Sequence, residues 1–560
     1  MKEEIKKIIE KAIEGEVPNF SVEVSDDKSH GDYSTNVVLI LAKKLGKNPR
    51  EFAEEIKIKI GANKLFSKIE IAGPGFINFF VTDKVFIDNL KEVDEDYGKG
   101  VGLKNKKIII DYTDPNLFKE FHVGHLMNNS IGESLSRIFE FERAGVKRVC
   151  YQSDIGLNVA KAVYGMEYMN WEKTKLDPEK EINALGVAYA TGSTHYEINE
   201  DARKKIIEIN KKIFEKSDAE INKLYSIGKK ISLEHFDKIY KKLDTKFDEL
   251  ISESQVIGLG KKIVEKGLAE GVFEKGDNGA IIFRGEKYGL HTRVFINSEG
   301  LPTYETKDLG LAEFKDKKYK YDQSVVITAS EQNDYFKVML CAMAQMAPKL
   351  AEKTKHIGHG MLRLPDGKMS SRTGKVITGE SLIEKVEELV KEKIKDRELS
   401  EKEKEEIVGN VAIGAIRYSI LKQSIGSDII YDFDKSISFE GDSGPYLQYA
   451  YTRAKSILRK AKAEKIKSSF KKIPSEITEL EKAIYHFPEI ILKAQKSYQP
   501  HYLVLYLTEL AGIFNGYYAK NKIVDNGDEY SSYKVALTEA FAVVMKNGLW
   551  MLGIKTLEKM

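Results

Sequence analysis

Two short elements of the form His-x-Gly-His occur in the chain, and either could belong to a site that binds ATP. One is HVGH at 122–125 and the other is HIGH at 356–359. Imidazole N–H groups can donate hydrogen bonds to phosphate oxygens, and a glycine lets the backbone approach a nucleotide closely. Because both elements carry the same residue types, only the structure predicted around each can distinguish them.

The surroundings favour HVGH as the nucleotide site. KKIIIDYT at 106–113 predicts a buried strand before it, the segment after it predicts a long helix, and KRVCYQSD predicts the next strand. This order predicts a βαβ unit of a parallel sheet. A loop that leaves a strand and enters a helix presents free backbone N–H groups to phosphate.

HIGH leads instead into short β-like segments around the turn LPDG. We interpret His356 and His359 as ordinary strand or loop histidines. Metal binding by the four histidines is a third option, but no carboxylate or cysteine spacing supports it, and no metal site is predicted. The loop GKMSSRTG at 367–374 has the lysine, serines and arginine suited to binding a triphosphate.

The whole chain predicts several domains. Its 560 residues exceed one hydrophobic core, and 89 Lys and Arg against 86 Asp and Glu leave a net charge of only +3. Two cysteines exclude a disulfide framework and a four-cysteine zinc site. Since the N-terminus resembles no secretory signal and no segment is apolar enough for a membrane span, we expect a soluble cytoplasmic protein.

The pattern predicts an α+β domain at 1–100, an α/β domain at 101–385 with an insertion at about 158–300, and a helical domain at 386–560. QSVVITA at 323–329 predicts a return to the parallel sheet. The run from Arg453 to Lys472 holds nine basic residues and one acid, Glu464. This run is either a solvated helix face or a surface for a phosphate backbone.

Several motifs, in this order, resemble those of the class I aminoacyl-tRNA synthetases, and more narrowly the arginyl-tRNA synthetase family. They are HGDYSTNVVLILAKKLG, AGPGFINFF, DYTDPNLFKEFHVGHLMNNSIGESLSRIFEF, YETKDLG, ITASEQNDYF, GMLRLPDGKMSSRTG, SFEGDSGPYLQYAYTRAKSILRK and GLWMLGIKTLEKM. The resemblance implies a Rossmann-like catalytic domain with an insertion, an N-terminal α+β appended domain that contacts the tRNA elbow, and an all-helical anticodon-binding domain. It also implies ATP-dependent attachment of L-arginine to tRNA through arginyl-adenylate, usually with tRNA needed for activation.

The resemblance assigns catalytic roles to His122, His125, Lys119 and Lys368. The residues implied to bind ATP, together with its Mg²⁺, are His122, Gly124, His125, Met361, Lys368, Met369, Ser370 and Ser371. The second lysine of the general class I signature falls on Ser371. Lys119 is the preferred substitute, with Arg372 and Lys375 as rivals, because charge on the leaving pyrophosphate must be neutralised.

For arginine, Asp111 and Asn116 match family positions that hold the amino and carboxylate ends. Tyr304, Asp308 and Gln332 match positions that line the side-chain pocket. The chemistry agrees, since a carboxylate such as Asp308 can bind a guanidinium with two hydrogen bonds, and Tyr304 can offer an aromatic face.

Contacts with tRNA are implied at Asn36 in the first domain and at Tyr451, Arg453 and Arg459 in the last. Aromatic residues there could stack on unpaired bases, although core positions are an alternative: Tyr446, Tyr449, Tyr517 and Tyr518. The resemblance implies a monomer. Two segments depart from the family pattern: LMNNS after HVGH, and QSDIG where Gly-Asp-Trp-Gly is common.

Three alternative functions stay open from the sequence. A class I synthetase for another amino acid is one, although specificity for cysteine would call for a zinc site. A small HxGH nucleotidyltransferase is the second, but such enzymes lack a helical C-terminal domain. The third is a synthetase paralogue without activity that binds RNA, and the intact histidines and Lys368 argue against it.

Overall fold

The computed structural model describes residues 1–13, 17, 19–25, 27–171, 177–363 and 378–560. The chain forms two compact units. The first comprises Met1–Asp94, Ile466–His486 and Val524–Ala540, and the second comprises Glu95–Lys465, Phe487–Ile523 and Phe541–Met560. Among the described residues, none of the helices is long and apolar enough to cross a membrane.

The first unit contains an antiparallel sheet in the order β1-β2-β4-β3. Its strands, numbered in chain order, are β1 (Val22–Val24), β2 (Tyr33–Thr35), β3 (Phe66–Ala72) and β4 (Phe76–Val81). Strands β3 and β4 flank the Gly-Pro-Gly turn. The helices of this unit are α1 (Lys2–Ala12), α2 (Val37–Leu45), α3 (Pro49–Ile60), α4 (Asp83–Lys91), α18 (Glu479–Tyr485) and the part of α21 (Ser531–Met551) that ends at Ala540. Lys482 of α18 donates to the carboxylate of Asp32 at 3.1 Å.

The second unit is built on a five-stranded parallel sheet in the order β12-β11-β5-β6-β7. The strands are β5 (Lys107–Asp111), β6 (Gly145–Gln152), β7 (Glu249–Ser252), β11 (Gln323–Ala329) and β12 (Thr354–His359). The strands predicted in KKIIIDYT, KRVCYQSD and QSVVITA are confirmed. Strand β7 is a correction, because it lies inside the predicted insertion at 158–300. Its four residues follow long charged helices and lack an extended apolar run.

Helices cover this sheet and form most of the remaining chain. Those before β12 are α5 (Val123–Phe141), α6 (Leu157–Tyr168), α7 (Pro178–Ile198), α8 (Glu200–Glu215), α9 (Ala219–Lys242), α10 (Glu253–Ala269), α11 (Tyr304–Tyr319), α12 (Asn333–Met346) and α13 (Pro348–Lys353). Those after it are α14 (Gly379–Ile394), α15 (Glu401–Leu421), α16 (Phe433–Ser436), α17 (Gly444–Ala463), α19 (Phe487–Ser497), α20 (His501–Lys520) and α21 (Ser531–Met551). The predicted helical character of the C-terminal part is confirmed.

Two smaller sheets complete the second unit. Strands β8 (Glu274–Lys275), β9 (Ile281–Phe283) and β10 (Arg293–Ile296) form an antiparallel sheet in the order β10-β9-β8. Strands β13 (Leu362–Arg363) and β14 (Ile429–Ile430) form a parallel pair.

Helices α10 and α11 pack closely because each presents a glycine to the other. A Cβ atom at Gly260 would lie 2.0 Å from the Thr306 carbonyl oxygen, and one at Gly310 would lie 2.3 Å from the Val256 carbonyl oxygen. Backbone atoms cannot rotate away from such contacts, so the absence of side chains at both positions fixes the separation of the helices. The position of α11 relative to the sheet therefore depends on Gly260 and Gly310.

We expect Gly310→Ala to lower the free energy of unfolding by about 1–3 kcal/mol, the usual cost of overpacking a buried contact. Gly258→Ala is the matched control on α10, because no described atom outside its chain neighbours and its own helix backbone lies within 4 Å of the position of its Cβ. Thermal unfolding of both variants checks the prediction. Equal melting temperatures for the two variants would contradict it.

Candidate active site

A cavity of about 860 Å³ opens at the carboxyl edge of the parallel sheet, where ligands of open α/β sheets bind. Its lining includes Asp111 at the end of β5, Tyr151 near the end of β6 and His359 at the end of β12. The first turns of α5 and α11 contribute further lining residues. Segments that extend along the chain from Asp111 to His359 thus meet at one edge of the sheet.

Helix α5 begins within HVGH, as predicted. His122 is the N-cap residue, and its Nδ1 accepts hydrogen bonds from the backbone N–H groups of Gly124 (3.1 Å) and His125 (3.4 Å). In return, Nδ1 of His125 accepts from the His122 backbone N–H at 3.2 Å. The two histidines therefore form a reciprocal capping box, and their rings stack with centroids 3.5 Å apart.

Both imidazoles are neutral near pH 7. Burial lowers the pKa of His122 to about 4, with Lys119 adding to the effect, and burial lowers the pKa of His125 well below its usual range. Because each Nδ1 accepts a hydrogen bond, the single proton of each neutral ring is on Nε2. The pair can therefore donate two N–H groups to an anion without itself carrying positive charge.

A cation lies close to this pair, on the segment before it. The ammonium of Lys119 is 4.4 Å from the ring centroid of Tyr189 on α7, a cation–π contact. Tyr189 in turn donates from its hydroxyl to Asn158, which lines the cavity. Within the described part of the chain, Lys119 itself is not among the lining residues.

The second signature loop lies outside the described residues, and so do the candidates Lys368, Met369, Ser370, Ser371, Arg372 and Lys375. The described residues on either side of it are nevertheless close to the first signature. Thr378 forms a β-bridge with His122, and the Gly379 N–H donates to the Phe121 carbonyl at 2.7 Å. Met361, before the loop, lines the cavity.

Asp111 and Asn116 both line the cavity, as do all three residues predicted for the side-chain pocket: Tyr304, Asp308 and Gln332. Asp111 is fully buried and pairs through Oδ2 with Lys315 of α11 at 2.8 Å. Its Oδ1 is buried and has no hydrogen-bond partner among the described residues. This oxygen can therefore accept from a bound ammonium.

Asp308 occupies the α11 side of the cavity, where its Oδ2 accepts from the Tyr335 hydroxyl at 2.5 Å. Burial raises the pKa of Asp308 to about 7, against the effect of that hydrogen bond, and Glu253 and Asp111 raise it further. A bound cation would restore its ionised form.

Several charged residues of the lining were not predicted from the sequence. Six acidic side chains face this cavity in the described structure, against two basic ones, Arg293 and Lys315: Asp111, Asp114, Glu253, Glu305, Asp308 and Glu331. Glu253 forms a buried ion pair with Lys307 of α11. Glu253 directly follows β7, and this position could have marked it as a residue of the site. That prediction would have required β7 to be recognised as a strand of the sheet. The acidic excess suits a substrate with a cationic side chain.

Models of known protein families match nearly the whole chain. A family model described as "tRNA synthetases class I (R), catalytic domain" matches residues 89–433. The models "Arginyl tRNA synthetase N terminal domain" and "DALR anticodon binding domain" match residues 1–81 and 447–560. The chain belongs to the class I arginyl-tRNA synthetase family.

Individual relatives extend this family match. The arginine–tRNA ligase of Fusobacterium nucleatum is 31% identical over 568 aligned residues, covering 100% of this chain and 99% of that protein. The arginine–tRNA ligase of Clostridium acetobutylicum is 32% identical over 552 residues, covering 96% of each. The solved structure of the Thermus thermophilus arginyl-tRNA synthetase shares the fold, with a TM-score of 0.81 at 24% identity and full coverage of both chains. The predicted fold class is confirmed.

The two segments that depart from the family pattern form specific contacts. Asn128, in LMNNS, accepts from the Thr113 N–H and donates to the Ile327 carbonyl, so it joins the ends of β5 and β11. Asp154, in QSDIG, is buried and accepts hydrogen bonds from Tyr225, Lys229 and Ser254. Asn128 is a departure from the family pattern, whereas Asp154 is the aspartate that QSDIG shares with it, and both residues bond to the carboxyl edge of the sheet or to the elements that follow it.

The histidines of HIGH lie on β12. His356 stacks on Phe336 and bonds to the Thr328 hydroxyl at 2.8 Å. His359 is buried and lines the cavity, with its Nδ1 2.7 Å from the Gly360 carbonyl oxygen. Both histidines were predicted to lie on a strand or in a loop, and the strand is what the structure shows. The position of His359 in the cavity lining was not predicted.

The residues predicted to contact tRNA differ in exposure. Tyr451 is only 4% exposed, and its hydroxyl donates to Glu558 at 3.4 Å; its contact with tRNA stays a prediction. Its helical register on α17 directs it into the core. Arg453 contacts the rings of Tyr449 and Tyr518 (4.8 and 5.4 Å), while Arg459 is exposed and bonds to the Glu558 carbonyl. Asn36, in the first unit, is the N-cap residue of α2, and its buried Oδ1 has no partner among the described residues.

We predict that nitrogen NMR of histidine-labelled protein shows His122 as the neutral Nε2–H tautomer from pH 5 to pH 8, gaining a proton only near pH 4, because its pKa is about 4. The variant His122→Asn identifies the signal by its loss and keeps an N-cap side chain. An imidazolium signal for His122 at pH 7 would contradict the prediction.

Proposed function

We propose that this chain attaches L-arginine to tRNA in two steps within the cavity. A carboxylate oxygen of arginine attacks the α-phosphorus of ATP, the bond to the bridging oxygen breaks, and pyrophosphate leaves with arginyl-adenylate formed. A ribose hydroxyl of the terminal adenosine of tRNA then attacks the carbonyl carbon. AMP leaves, and the hydroxyl proton is lost. The acidic cavity beside the first turn of α5 is the observation that carries the proposal.

The first turn of α5 would bind ATP. Nε2–H groups of His122 and His125 donate to phosphate oxygens, and the positive end of the helix dipole acts in the same direction. Gly124 and Met361 would flank the nucleotide, since both line the cavity. A methyl group at Gly124 would lie 2.9 Å from the His122 ring, so only glycine preserves the capping geometry.

Positive charge for the leaving pyrophosphate would come from lysines, because the two histidines are neutral. We assign this role to Lys119 and, from the second signature, to Lys368, with Met369, Ser370 and Ser371 beside the triphosphate. In the described part of the chain, no group of three or more His, Cys, Asp or Glu side chains is placed to hold a metal ion. Mg²⁺ would enter with ATP as Mg–ATP, held through the phosphates.

The acidic side chains would select arginine. Oδ1 of Asp111 accepts from the substrate ammonium, and Asn116 contacts the carboxylate end. Asp308 binds the guanidinium, with Gln332 and the ring of Tyr304 completing the pocket. Neutralising a buried carboxylate is favourable for a cationic side chain and unavailable to a neutral one.

We further propose three functional regions: 1–100 with Asn36 at the tRNA elbow, 101–385 for catalysis, and 386–560 with Arg453 and Arg459 near the anticodon arm. The ring of Tyr518, which is 43% exposed, can stack on an unpaired base beside Arg453. A monomer in the cytoplasm is part of the same proposal.

ATP–pyrophosphate exchange with a panel of amino acids, each with and without tRNA, tests this proposal. We expect exchange with arginine alone among the amino acids, and only when tRNA is added. Exchange with a different amino acid would overturn the assigned specificity. Absence of exchange in the presence of tRNA, while tRNA still binds, would instead indicate an RNA-binding paralogue without activity.

A further inference from the structure

Tyr151 lies next to the end of β6 and is one of the residues that line the cavity. Tyr151 packs against an apolar cluster that includes Ile109, Val256 and Leu311. The backbone N–H of Tyr151 donates to Asp114 at 2.7 Å, which fixes the residue at the edge of the sheet. Its side chain therefore has a defined position beside the carboxylates.

The hydroxyl oxygen of Tyr151 is buried and has no hydrogen-bond partner among the described residues. Most buried polar side-chain atoms in proteins have a partner, because an unpaired hydroxyl loses its hydration without compensation. An orphan of this kind on the wall of a substrate cavity suggests that the substrate supplies the partner. Oδ1 of Asp111, on the same wall, is unpaired in the same way.

The carboxylates around this hydroxyl are already partly engaged. One oxygen of Asp308 accepts from Tyr335, and one oxygen of Glu253 accepts from Lys307. A guanidinium carries five N–H donors in a plane, and an uncharged acceptor beside these carboxylates would add a further direction in which one of them can be paired. Burial, followed by Glu253, Asp308 and Asp111, raises the pKa of Tyr151 well above its usual range, so the phenol stays neutral.

We propose that Tyr151 is a further arginine-recognition residue, whose buried hydroxyl accepts a hydrogen bond from a guanidinium N–H of the substrate. This inference rests on the proposed function, since it requires arginine to occupy the cavity. Unlike Asp308, Tyr151 adds an acceptor without adding charge. Because a hydroxyl accepts hydrogen bonds only from certain directions, Tyr151 would favour a planar group that carries several N–H donors.

The test is Tyr151→Phe, which removes only the hydroxyl. In ATP–pyrophosphate exchange with tRNA present, we expect the KM for arginine to rise at least about tenfold, equivalent to about 1.4 kcal/mol. The KM for ATP and kcat should change little. The melting temperature without arginine should stay the same or rise, because the variant removes an unpaired buried group.

Tyr418→Phe is the matched control, because it makes the same change at a buried tyrosine whose hydroxyl is paired with Asp442 (2.9 Å) and Thr508 (3.0 Å). We expect it to behave in the opposite way, with a lower melting temperature and an unchanged KM for arginine.

An unchanged KM for arginine in Tyr151→Phe would overturn the inference while leaving the proposed function intact. A lower melting temperature together with equal rises in the KM values for arginine and ATP would also overturn it, since that pattern indicates a structural role. If the unmodified chain fails to use arginine, the proposed function itself fails, and this inference fails with it.

Discussion

Two buried ion pairs, both made by lysines of α11, are the interactions on which the cavity depends. Lys315 pairs with Asp111, and Lys307 pairs with Glu253, and all four side chains are almost completely buried. A buried carboxylate without a partner would take up a proton or destabilise the fold. Lysines of α11 neutralise two of the carboxylates and leave the others without a cation. Helix α11 therefore determines how much negative charge a ligand must neutralise. Asp308, on the same helix, belongs to the uncompensated group.

The position of α11 is in turn a consequence of backbone packing. Gly260 and Gly310 allow α10 and α11 to approach until main-chain atoms meet, and α10 begins with Glu253 directly after β7. The carboxylates therefore have positions fixed by the sheet and by two helices in close contact. The nucleotide side of the cavity relies on a different device, the capping box formed by His122 and His125. The capping box leaves the two Nε2–H groups able to donate to phosphate but carries no positive charge. Lysines must therefore supply the cations.

Much of this arrangement could be predicted from the sequence, and the omissions have physical causes. HVGH was identified correctly as the start of a helix, because a strong apolar strand precedes it and a periodic segment follows. Asp308 and Tyr304 were found through a motif, whereas Glu253 was missed because β7 is too short to show a pattern. The unpaired hydroxyl of Tyr151 could not be predicted, because whether a polar atom finds a partner depends on neighbours distant in sequence. The burial of Tyr451 likewise depends on how α17 packs, since partly exposed Arg453 and Lys455 follow it within one helical turn.

The most direct test of the central claim is to count the protons released when arginine binds in the presence of tRNA. Calorimetric titration in buffers of different ionisation enthalpy provides this number. Because the pKa of Asp308 is about 7 in the free protein, a bound guanidinium should displace close to one proton at pH 6, about half at pH 7 and almost none at pH 8.5. Asp308→Asn should abolish the part of this release that titrates near pH 7. Arginine binding without proton release at pH 6, or release that is unchanged in Asp308→Asn, would contradict the account.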